Sequence, residues 1–117
     1  MAREKNSMDD VEKFIANSVG YWSEIAGANS KGANACNRRN ESIVERRANA
    51  GDLVEFLSSF LGSPTAEVRF AAAAFLLNHD TSQRPIEVLR ELKASQDVGA
   101  MSVAAGLILD AHKIEKY

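Results

Sequence analysis

The tract from Lys31 to Ala50 holds the residues best suited to recognising something polar. Asn34, Asn37 and Asn40 recur at three-residue steps, with Arg38 and Arg39 between them. Amide side chains offer both donor and acceptor, and guanidiniums offer a rigid fork of donors that fits carboxylate or phosphate. Five bases stand there against two acids, a local charge of +3, while the rest of the chain sums to −5. Such a face suits an anionic or polar partner. No aromatic residue interleaves with these bases to stack on a nucleobase, so nucleic acid is not the expected ligand. The plainer reading is that Asn37 satisfies the end of a neighbouring helix and that the arginines form a solvated face paired with Glu41, Glu45 and other acids.

Other reactive residues are scattered. His79-Asp80 could be an acid–base pair, with Asp110 and His112 as partners, but adjacent turn residues point apart. No His-x-x-x-His or Cys-x-x-Cys spacing occurs, so no metal site is expected. The one cysteine, Cys36, lies near Arg38 and Arg39, yet no histidine is close in sequence to serve as its base. The glycines never form Gly-x-Gly, which leaves no dinucleotide or phosphate loop. No catalytic residue and no cofactor are therefore expected. Arg69, just after Val68 on an apolar helix, and Ser63 in the preceding turn are expected in scaffold roles. Trp22 continues an apolar helix face, whereas Tyr21 falls beside it; exposed together with Phe14, the two would mark a partner or homodimer contact.

Helices must position these residues. Hydrophobic residues make up 45% of the 117, enough for a core, and only Pro64 and Pro85 oppose helix. No window alternates apolar and polar residues as a strand does. A net charge of −2 gives no global attraction to nucleic acid or to an anionic membrane. The lone cysteine fits a reducing compartment. Met1-Ala2-Arg3-Glu4-Lys5-Asn6 is charged and precedes no apolar run, so no secretory leader and no membrane span are expected, and the default location is the cytoplasm.

Six helices follow from spacing and punctuation. The first should start near Ser7, with Asp9, Asp10 and Glu12 at its positive end, and Val11, Phe14, Ile15, Val19, Trp22 and Ile25 on one apolar face. The Asn/Arg tract makes a second helix, ended by Gly51. Asp52 can cap a third that carries Leu53, Phe56, Leu57 and Phe60. Gly62-Ser63-Pro64 predicts a left-handed helix end, an N-cap and a first helical position in succession. The fourth helix then presents Val68, Ala71, Ala72, Phe75 and Leu76. Pro85 sets the start of the fifth, and the last, from about Val98 to Ile114, should be covered over much of its circumference.

Ser63-Pro64-Thr65-Ala66-Glu67-Val68-Arg69, followed by paired alanines and Phe75-Leu76, resembles the first helix of a HEAT-type repeat, and Ile86-x-x-Leu89-x-x-Leu92 resembles the second. With Gly32-Ala33-Asn34-Ala35-Cys36-Asn37-Arg38, the chain is similar to a family of short bacterial HEAT-like proteins known as a domain of unknown function. The resemblance spans about Val11 to Ala111. It implies an α–α superhelical fragment, or helical bundle, of antiparallel pairs. The expectation is thus a single all-α domain over 1–117, with an N-terminal helix pair at 7–50 and HEAT-like hairpins at 52–114. Its expected function is non-catalytic protein binding through Asn34, Asn37, Arg38, Arg39 and Tyr21. A toxin-neutralising immunity protein is one form of this, by analogy with other small helical proteins. The alternative is an anionic small molecule or nucleic acid held at the second helix near Asn37, Arg38 and Arg69. A homodimer through the first helix is a further expectation.

Overall fold

The computed structural model describes the backbone of residues 2–79 and 82–116, and the side chains of 9–79 and 82–112. The chain is all-α: α1 (Ala2–Ala26), α2 (Ser30–Ala50), α3 (Leu53–Ser58), α4 (Ala66–Leu76), α5 (Arg84–Ala94) and α6 (Ala100–Lys116), with no strand among the described residues. It divides into two compact units, one ending at Leu53 and the other beginning at Val54.

The first unit is an antiparallel hairpin of α1 and α2. Its turn is built from three residues. At the end of α1, Asn29 N–H reaches back to the Glu24 carbonyl at 2.8 Å and Ala28 N–H to that of Ile25 at 3.0 Å. This is a Schellman closure, and Ala28 takes its left-handed position at φ 58°, although Gly27 stands beside it. Asn29 then caps α2, its Oδ1 accepting from Gly32 N–H at 3.1 Å while its Nδ2 donates to the Glu24 carboxylate. A Cβ on Gly32 would meet that carboxylate and the Asn29 amide, so both side chains would have to shift to admit one. Gly51, at φ 85°, closes the far end of α2 in the same way, with Asp52 N–H on the Arg47 carbonyl at 3.1 Å.

α1 begins at Ala2, not near Ser7, so Asp9 and Asp10 lie two turns inside the helix rather than at its positive end. The Ser7 side chain lies outside the described residues. The buried face of α1 also differs from the predicted one. Phe14 is fully buried, but Ile15, Val19 and Ile25 keep 40%, 38% and 36% of their surface exposed. The covered positions are Asp10, Phe14 and Ser18, with Asn17, Tyr21 and Glu24 half-buried. On α2 they are Ala33, Asn40 and Ile43, with Cys36 and Arg47 half-buried, the alternating three- and four-residue steps of a coiled-coil seam.

The second unit is built on α4, α5 and α6, each in contact with the other two. Val68, Phe70, Ala72, Ala73 and Leu76 of α4 pack with Leu89 and Leu92 of α5 and Met101 and Ala105 of α6 in its core, and Pro85 sits in the first turn of α5 as its spacing required. Fully buried Ala72, Ala73 and Ala105 mark places where small side chains leave room for a neighbouring helix. Gly106 serves the same purpose, receiving the aliphatic stem of Lys93 at 3.5 Å from where its Cβ would be. Ser102 Oγ donates to the Lys93 carbonyl at 2.6 Å, tying α6 to the end of α5.

Two further sequence expectations need correction. Gly62 does not supply a left-handed helix end, since Gly51 and Gly99 are the described glycines with positive φ. Neither Ser63 nor Pro64 begins α4: its N-cap is Thr65, and the Ser63 hydroxyl instead accepts from Thr65 N–H at 3.1 Å. The last helix is covered over much of its circumference, as its composition required, with Val103 and Leu107 exposed on one stripe at 66% and 65%.

Candidate functional site

Charged and amide side chains converge along the α1–α2 seam, and their chemistry follows from which residues the hairpin sets opposite one another. At the turn, Glu24 meets Asn29 and Gly32. Further along, Gly20 meets Cys36 so closely that a Cβ on Gly20 would sit 3.1 Å from Sγ. Next, Asn17 Nδ2 donates to Asn40 Oδ1 at 3.1 Å, Asn40 Nδ2 donates to Ser18 Oγ at 3.2 Å, and Ser18 Oγ donates to the Phe14 carbonyl at 2.7 Å. At the open end Asp10 meets Arg46 and Arg47. Each step forward on α1 matches an equal step back on α2, and the same register sets Phe14 opposite Ile43.

The open end is the densest cluster. Arg46 Nη2 donates to Asp10 Oδ1 at 2.6 Å; Arg47 Nε and Nη2 donate to Oδ2 at 3.0 and 2.6 Å. Arg47 Nη1 also reaches Asp52 Oδ2 at 3.0 Å. Asp52 is therefore drawn back toward α2 instead of forming the expected cap, and its Oδ1 is buried with no partner. Burial alone would raise the Asp10 pKa, but the hydrogen bonds and charges of Arg46 and Arg47 outweigh it and hold the carboxyl below its usual range. The hydrogen bond to Asp10 raises the Arg47 pKa against burial, and Asp52 adds to the effect. A carboxylate held ionised in this way is a poor proton acceptor near neutral pH, and its oxygens are already taken. Beside it lies an open depression of ≈ 590 Å³, bordered by Asp9, Lys13, Arg46 and Asn49. Lys13 pairs across the helix surface with Asp9 at 2.9 Å, so acids and bases there nearly balance. This arrangement is suited to holding two helices together.

The residues expected to bind a partner lie elsewhere on α2. Asn34, Asn37, Arg38 and Arg39 are all exposed, and among the described residues none of their side chains enters a hydrogen bond or an ion pair. Asn34 and Arg38 share a face one turn apart. Asn37 and Arg39 lie about 100° to either side of Arg38, so the four do not form one patch. The arginines' expected pairing with acids is made by Arg46 and Arg47, on Asp10 and Asp52, whereas among the described residues Arg38 and Arg39 pair with neither Glu41 nor Glu45 and Asn37 meets no helix end. Tyr21 is half-buried, with its ring edge-on to Trp22 at 5.1 Å and 81°. Phe14 is buried and does not join a surface patch with them.

Arg69 Nη1 donates to the Ser63 carbonyl at 2.6 Å, so these two residues meet in the turn before α4. Cys36 is half-buried against Gly20. His79 is exposed, and Asp80 lies outside the described residues. Among the described residues no group of three or more histidine, cysteine and acidic side chains could hold a metal ion, and no helix is long and apolar enough to cross a membrane.

Asp10 was expected at the positive end of the first helix and Asn40 on a partner-facing line with Asn34 and Asn37, yet both are buried in the seam, and Arg47 was not singled out from the sequence. The available signal was that Asn40 and Arg47 fall on the same three- and four-residue steps as Ala33, Cys36 and Ile43. The chain matches no protein-family model, no curated protein and no solved structure.

Proposed function

We propose that this chain is a non-catalytic module that binds a protein partner partly through the exposed Arg38 and Arg39 of α2. The supporting observation is a contrast within one helix. Arg46 and Arg47 spend their donors on Asp10 and Asp52, whereas Arg38 and Arg39, with Asn34 and Asn37, stand exposed with theirs unspent. Exposed asparagines are poor helix formers, so their number on α2 is not explained by helix stability. The module reading extends to a HEAT-like hairpin at α4–α5, to the bacterial cytoplasm as its setting, and to immunity-type neutralisation of another protein as one concrete form.

The test is recovery of a partner on immobilised chain, comparing the wild type with Arg38→Glu plus Arg39→Glu after circular dichroism has shown the variant to be folded. A partner held by the wild type and released by the variant supports the proposal; equal recovery overturns this placement. A second copy is the other partner within the class. A solution mass twice 12.7 kDa, returned to that of one chain by Ile15→Glu, would identify self-association through α1.

The same unspent guanidiniums favour a second reading, in which the ligand is an anionic small molecule or nucleic acid. It predicts that inorganic phosphate or a short oligonucleotide raises the melting temperature of the wild type and not of the double variant.

A further inference from the structure

No further inference is drawn: the strongest candidate, the apolar stripe of Ile15, Val19 and Ile25 along α1, is an exposed helix face and nothing in the structure shows what covers it.

Discussion

Arg47 closes on Asp10 with two donors on one carboxylate oxygen, Nε at 3.0 Å and Nη2 at 2.6 Å from Oδ2. Its third contact, Nη1 to Asp52, ties the residue after the Gly51 turn into the same cluster. Arg46 takes the other Asp10 oxygen, but from the surface: its side chain is 54% exposed, against 13% for Arg47. The two arginines should therefore differ in weight. Arg47→Ala leaves one oxygen of a buried carboxylate without its donors and Arg46 as its remaining cation, and is expected to lower unfolding free energy by about 3 kcal/mol. Arg46→Ala should cost no more than about 1 kcal/mol. Urea unfolding of the two variants checks this, and equal losses would refute the ranking.

The pH dependence has a definite sign. Asp10 titrates lower in the folded chain than its ordinary 3.8, so the folded state binds fewer protons in that range. Its contribution is complete above the unfolded value and is lost as pH falls through the folded one. The stability difference between wild type and Asp10→Asn should be constant near neutrality and shrink below about pH 4. Urea melts between pH 7 and 2 read it directly. A difference independent of pH would mean that the carboxylate's charge is not what stabilises the hairpin.

Asn40 should matter for both stability and register. It joins Asn17 to Ser18 in the interior of the hairpin, and truncating it leaves their polar groups unsatisfied. Asn40→Ala is expected to cost about 2 kcal/mol. Ser18→Ala combined with Asn40→Leu should recover most of that loss, yet weaken the specification of register. Amide exchange along α1 and α2 would then become faster and less uniform than in the wild type. Unchanged protection would show that other layers set the register.

The two Schellman closures give a paired prediction with opposite signs. Ala28 holds a left-handed conformation that costs a residue with a Cβ about 1 kcal/mol, whereas Gly51 holds the same conformation without that cost. Ala28→Gly should raise the melting temperature by a few degrees, and Gly51→Ala should lower it by a similar amount. Nothing lies within 4 Å of a Cβ built on Gly51, so backbone strain alone is being tested there.

Much of this architecture was legible in the residues themselves. The helix content, the C-terminal end of α2 and the start of α5 follow from local chemistry: Gly51 relieves a left-handed position, and Pro85 fits a first turn. These are effects within a few bonds, so neighbouring residues suffice to predict them. Although Gly27 stands beside it, Ala28 is the residue that turns left-handed, and this closure places Asn29 where it both ends α1 and caps α2.

Which face of α1 is buried could not be read from α1 alone. Its apolar spacing pointed to Val11, Phe14, Ile15, Val19, Trp22 and Ile25; Phe14 is buried as expected, but the seam runs from it through Asp10, Ser18 and Tyr21, leaving Ile15, Val19 and Ile25 exposed. The reason lies on the other helix. α2 presents Cys36, Asn40, Ile43 and Arg47 along its covered side, and only the polar line of α1 can satisfy Asn40 and Arg47. A buried amide or guanidinium without a partner costs more than leaving several aliphatic side chains half in water. By itself, then, the sequence determined that there are six helices and where most of them turn. The pairing of Asp10 with Arg47, and with it the division of the second helix's arginines into clamps on Asp10 and exposed surface, was decided only by tertiary structure. Complementarity belongs to two faces at once, and neither face shows it alone.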